Sequence, residues 1–239
     1  MSDVTAGPNA PAEKVRSGKR LIQVSLYSAL WMAALFGAAG RLEWTRGWIY
    51  VVLYFAGIAA TRVIVRRFNP ELMEARASFL RKGTKSFDKA FYVAYIPLTF
   101  LQPAVAGLDA VRFGWSSMPF GLVYPGAVLT LLADALMAWT LAVNRFAENT
   151  VRIQTERGHT VVASGPYRFV RHPMYVGVIL AHLAAPLILG SVWALAPAGL
   201  AAALFIWRTG LEDRTLRREL AGYEEFTART PYRLFPGVW

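Results

Sequence analysis

Residues 174–207 read MYVGVILAHLAAPLILGSVWALAPAGLAAALFIW, and how this stretch is divided decides the fold. Apart from His182 and Ser191 it carries no strongly polar side chain. It is too long for one crossing of a hydrocarbon layer about 30 Å thick, which takes roughly 20 helical residues. Pro186, Gly190 and Pro197 interrupt it, and Gly190-Ser191 suits a tight turn. The sequence therefore predicts a helical hairpin, about 173–189 and 191–208, with one broken, re-entrant element as the alternative.

Four more apolar regions precede it, at 21–40, 47–65, 90–108 and 118–143. Of the 239 residues, 55% are hydrophobic and 17% charged; a soluble domain carries about 25% charge. The expected fold is all-α, a polytopic transmembrane bundle of six helices, or five if the hairpin is re-entrant. Three regions follow: a disordered basic tail at 1–19, scaffold helices at 20–143, and a working region at 144–239 made of a loop, the hairpin and a C-terminal helix.

The net charge of +11 could suggest nucleic acid, but its distribution argues for topology. Lys and Arg number 4 up to Arg20, 7 in 66–89, 5 in 144–172 and 6 in 208–239. Six crossings put all of these on one side, against Arg41, Arg46 and Arg112 on the other. The positive-inside rule then places both termini and both large loops in the cytoplasm, where the excess also attracts anionic headgroups. No nucleic-acid partner is expected.

The chain has no cysteine, which excludes disulfides and thiolate chemistry. Its three histidines, His159, His172 and His182, lack metal-site spacing, so no metal is expected. Gly-rich nucleotide loops are absent as well. Asp134 and His182 lie inside apolar runs. An ionisable group at that depth is either functional or a helix-to-helix hydrogen-bonding group, and both readings stay open.

The loop 66–89 predicts a short interfacial helix after Asn69-Pro70. In 209–228, Leu211, Leu216, Leu220, Tyr223 and Phe226 predict an amphipathic helix ended by Thr230-Pro231. Between them, Val151–Gln154 and His159–Val162 flank Arg157-Gly158 and predict a hairpin-like loop. Pro173 suits the first position of a helix, with His172 at its N-cap and Tyr175 on nearly the same face. A basic interfacial anchor is the plainer reading of this segment. Arg208 and Glu212, four apart, either form an ion pair on one helix face or grip a charged ligand, the arginine holding a carboxylate bidentately.

Taken in order, Gln154, His159-Thr160-Val161-Val162, Gly165-x-Tyr167, Arg171-His172-Pro173-Met174-Tyr175-x-Gly177 and Arg208-x-x-x-Glu212-Asp213, with Tyr223 and Pro236, resemble the isoprenylcysteine carboxyl methyltransferase family. The resemblance covers 144–239. The Arg-His-Pro-x-Tyr-x-Gly element alone is shared with phospholipid N-methyltransferases. The resemblance implies an integral membrane enzyme that uses S-adenosylmethionine to methylate the C-terminal carboxylate of a prenylated cysteine. By position it makes Gln154, His159 to Val162, Tyr167, His172 to Tyr175 and Glu212 cofactor-binding, with the adenine edge at 159–162. It sets Arg208 beside the substrate carboxylate, the catalytic pair being Arg208 and Glu212. Asp213 departs from the pattern, which usually has a second Glu there, and acidic residues after 212 are sparse.

Such chemistry suits these residue types. A carboxylate is ionised at neutral pH, so no general base is needed, and two opposite charges merge in the transition state. The lipophilic carboxylate would enter from the bilayer and the cofactor from the cytoplasm. A phospholipid amine or a small thiol is the alternative acceptor, and a lipid-binding scaffold is the non-enzyme alternative.

Overall fold

The computed structural model describes residues 22–76 and 81–239. The expected disordered tail at 1–19 lies outside them. The described residues form helices and no strand. In chain order these are α1 (Ile22–Gly37), α2 (Thr45–Phe68), α3 (Pro70–Ala75), α4 (Ser86–Gly107), α5 (Val123–Val143), α6 (Pro173–Leu189), α7 (Leu195–Glu219) and α8 (Tyr223–Arg229).

With their flanking turns, α2, α4 and α5 give three helices long and apolar enough to cross a membrane: Thr45–Phe68, Ser86–Phe113 and Phe120–Val143. The helices α1 and α6 are apolar but shorter. Side chains are distributed as a bilayer demands. Val52, Val63, Val93, Leu131, Leu132 and Leu200 point outward, while Gln102, Thr130, Thr140 and Thr209 are buried. A water-soluble protein rarely exposes so much contiguous apolar surface. This is the build of a helical membrane protein.

The hairpin forms as the sequence predicts. Helix α6 ends at Gly190, whose φ of 79° lies in the left-handed region that glycine adopts without strain. Helix α7 starts four residues later than expected. Ser191 first makes a turn, its Oγ donating to Asp109 Oδ2 at 2.6 Å and accepting the Ala194 N–H at 3.0 Å. Asp109 is fully buried and also takes the Ser116 N–H, the Ser116 hydroxyl and the Trp193 N–H. It pins the end of α4 to the α6–α7 turn.

Helix α5 lies against α6 and α2, and α7 against α4 and α6. Small residues allow the closest approaches. A Cβ on Gly107 of α4 would sit 2.6 Å from the Leu35 carbonyl oxygen and 2.8 Å from the Ala39 nitrogen. Both atoms are backbone and cannot swing aside. Gly107→Ala is therefore expected to cost about 1–3 kcal/mol by overpacking, read as a lower melting temperature in detergent. Gly37→Ala, with nothing within 4 Å of the new methyl, is its near-neutral control.

The two ionisable groups inside apolar runs differ: His182 has a partner at both ring nitrogens, whereas the buried Asp134 Oδ2 has no hydrogen-bond partner among the described residues. His182 Nδ1 lies 2.6 Å from Gln102 Oε1 and Nε2 lies 2.9 Å from the Tyr95 hydroxyl, which ties α6 to α4. Asp134 of α5 packs against Gly57 of α2.

The C-terminal region differs from the single amphipathic helix expected at 209–228. Helix α7 runs on without a break to Glu219, and a separate α8 follows. Extended backbone at Leu220 ends α7, and Gly222, at φ 79°, takes the left-handed conformation from which α8 starts. The end near Thr230-Pro231 and the short helix after Asn69-Pro70 form as expected.

Candidate active site

His172 is the N-cap of α6, and Pro173 occupies the first turn. Proline costs nothing there because its missing N–H would be unpaired anyway. The entry is fixed from outside the helix: the Arg171 and His172 N–H groups donate to the carbonyls of Tyr232 and Arg233, both at 2.9 Å. The C-terminal segment thus holds the start of α6 in place.

Asp213 of α7 sits beneath this junction, fully buried. Its Oδ1 accepts from Arg171 Nε at 2.8 Å and from the Tyr223 hydroxyl at 3.1 Å; its Oδ2 accepts from Arg233 Nε at 3.0 Å. His172 Nε2 is 3.5 Å from both Asp213 Oδ1 and the Tyr223 hydroxyl. The surrounding hydrogen bonds and charges hold the Asp213 carboxyl well below the ordinary carboxylate range, against the opposing effect of its burial.

The loop 144–162 is packed down by polar side chains rather than by strand pairing. Its expected hairpin is a turn around Thr155–Arg157 and Gly158, with the Arg157 and His159 N–H groups both donating to the Gln154 carbonyl. Gln154 is buried, and its Nε2 donates to the Phe146 carbonyl at 2.7 Å. The His159 ring lies against Phe146, centroids 4.5 Å apart. Burial lowers the His159 pKa, which favours the neutral ring.

These elements enclose one cleft of about 780 Å³, including its open mouth. Gln154, His159, Thr160, Val161 and Val162 line one wall. Tyr167, His172, Met174 and Tyr175 line another, and Arg208, Glu212 and Tyr223 close it from α7 and α8. Of the residues assigned from sequence to cofactor or substrate, only Pro173 stands outside the lining. Asp134 and His182 stand outside it as well, so neither supplies a base to this cleft.

Of the two readings of Arg208 and Glu212, the ion pair does not form. Arg208 and Glu212 do not pair with each other at salt-bridge distance. Arg208 Nε lies 2.7 Å from Oδ1 of Asp88, a fully buried residue in the first turn of α4. This is an ion-pair contact, not an aligned hydrogen bond. Arg208 Nη2 donates to the Asn149 carbonyl at 2.9 Å. The guanidinium is packed among Phe91, Tyr92 and Tyr175, 4.5, 5.2 and 5.0 Å from their ring centroids. Glu212 instead accepts a hydrogen bond from the Tyr175 hydroxyl. A substrate carboxylate gripped side-on by Arg208, through Nε, would have to displace Asp88.

Sequence reasoning missed Asp88, and also Glu148 and Arg152, which line the cleft as a bidentate pair with both contacts at 2.8 Å. The four-residue spacing of Glu148 and Arg152 is no helical signal, because this stretch folds as loop. Asp88 had none: it is one acid among Lys82, Lys85 and Lys89.

Residues 126–218 match the model of the isoprenylcysteine carboxyl methyltransferase (ICMT) family. No curated protein matches the chain.

Proposed function

We propose, from the match of residues 126–218 to the isoprenylcysteine carboxyl methyltransferase family, that this protein transfers a methyl group from S-adenosylmethionine to the carboxylate of a lipophilic acceptor, a prenylated cysteine before others. The observation that carries this reading is one cleft at the end of an apolar bundle lined by Tyr167, His172, Arg208 and Glu212 together.

The lining fits the donor by its charges. Glu212 faces the cleft as a carboxylate whose hydrogen-bond donor, the Tyr175 hydroxyl, is neutral. It suits the positive end of a zwitterionic sulfonium ligand. The Phe146–His159 wall offers flat apolar surface to an adenine. The donor would supply an electrophilic methyl group on sulfur. The acceptor arrives as an anion, so no side chain has to take a proton, and the cleft serves mainly to align the reactants and exclude water. Arg208 would orient the acceptor carboxylate with the N–H groups that Asp88 and Asn149 leave available. Met174, Leu216, Leu220 and Phe226 supply apolar lining for a greasy chain. We place the cleft on the cytoplasmic side, where the basic loops would lie.

A phospholipid amine is the weaker acceptor, since it would need a base to remove its proton. Titrating the detergent-purified protein with S-adenosylmethionine in a calorimeter tests the reading. Saturable heat is expected, and its absence up to millimolar ligand would refute methyl transfer. His172→Ala is expected to weaken that binding about tenfold, the worth of one charge-assisted hydrogen bond, roughly 1.5 kcal/mol. An unchanged Kd would remove His172 from the donor site.

A further inference from the structure

We propose that Asp88 is a positioning residue of this site: it holds Arg208 in the orientation that meets an acceptor carboxylate and keeps that arginine away from Glu212. The proposal rests on the methyl-transfer reading above. Asp88 belongs to α4, outside the 126–218 family match and far from every motif in the working region.

Asp88 is fully buried and faces two ways. Its Oδ2 accepts the Val151 N–H at 2.7 Å, and its Oδ1 contacts Arg208 Nε at 2.7 Å. The Lys85 N–H donates to the Val151 carbonyl at 3.0 Å, so the start of α4 and the cleft loop are joined through both backbone groups of Val151. The Asn149 carbonyl, two residues before Val151, takes Arg208 Nη2. One short stretch of loop and one carboxylate therefore set the plane of the guanidinium, and three aromatic rings pack around it.

The alternative partner is close at hand. Glu212 lies one turn along α7 from Arg208, at the spacing that favours an ion pair. A buried arginine without a counter-ion is costly, so losing Asp88 would draw Arg208 toward Glu212. The acceptor would then lose its anchor. The existing arrangement avoids this by giving Arg208 its own buried anion, while the Tyr175 hydroxyl holds Glu212 toward the cleft.

Three measurements separate this proposal from the reading beneath it. Wild-type protein that neither binds S-adenosylmethionine nor transfers methyl would end the methyl-transfer reading. The role of Asp88 is then still decided by stability. Melting temperatures of Asp88→Asn, Arg208→Gln and the double variant should show the double to be more stable than either single, because removing both charges leaves neither unpaired. A double variant no more stable than the worse single would overturn the pairing. In the active protein, Asp88→Asn is expected to raise the KM for a farnesylated cysteine analogue at least tenfold, with the donor Kd within threefold of wild type. A KM within twofold of wild type, or an equal loss of donor affinity, would overturn the positioning role. Should Asp88→Asn fail to fold, the double variant decides: its acceptor KM should equal that of Arg208→Gln, and a further rise would show that Asp88 acts on its own.

Discussion

Arg208→Ala is expected to cut methyl transfer about 10²–10³-fold in kcat/KM, the range seen when one preorganised donor is taken from a reacting charge, while donor binding stays within a few-fold. The arginine is buried at 3% exposure, so water does not replace it when it is lost. The substitution also strands Asp88, and breaking a buried pair costs about 3–5 kcal/mol of stability. Activity must therefore be scored per folded molecule, with the donor Kd measured on the same sample. The double variant Asp88→Asn, Arg208→Ala relieves the stranded charge and should stay just as inactive. Arg208→Lys keeps a charge but not the planar fork, and its activity should fall between wild type and Arg208→Ala. If donor affinity fell as far as transfer did, Arg208 would belong to the donor and not to the acceptor.

Much of this fold was legible because a bilayer imposes a simple length rule. Apolar runs gave the helices, Gly190 gave the turn of the hairpin, and His172-Pro173 gave the start of α6. The cleft lining was legible for a different reason: the resemblance supplied residues that spacing alone could not bring together. What stayed hidden is non-local. Spacing put Glu212 beside Arg208, but the arginine pairs with Asp88, 120 positions earlier in the chain, because α4 and α7 pack side by side. Periodicity likewise ran through Gly222 as if it were helical, since the apolar positions continue across it. Extended backbone at Leu220 and the left-handed Gly222 separate α7 from α8. The site is also less confined to the second half of the chain than the motifs suggest, as α4 supplies the counter-ion.

Asp213 carries the second large effect, on stability first and on the site through it. Asp213→Ala removes the one carboxylate shared by Arg171, Arg233 and Tyr223. Arg233, and Arg217 whose Nε lies 3.4 Å from Asp213 Oδ2, are partly exposed, with side chains 27% and 35% accessible, so water can rescue them. Arg171, at 4%, cannot be rescued, and the expected loss is about 3–5 kcal/mol for a buried cation left alone. At 2–4 °C per kcal/mol for a chain of this size, that is on the order of 10 °C in melting temperature. The donor Kd should rise as well, because the Arg171–His172 entry to α6 loses its anchor. Asp213→Glu keeps the charge but lengthens the arm in a crowded hub and should cost less. The sign with pH follows from a carboxyl pKa held below its ordinary value in the folded protein. Its contribution is complete above the unfolded value of about 4 and drains away as pH falls through the lower folded value. The stability gap between wild type and Asp213→Ala should thus stay level from pH 7 to about 5 and narrow below about 4. A gap that widened on acidification, or one already absent at pH 7, would mean that the arginines are neutralised by some other group.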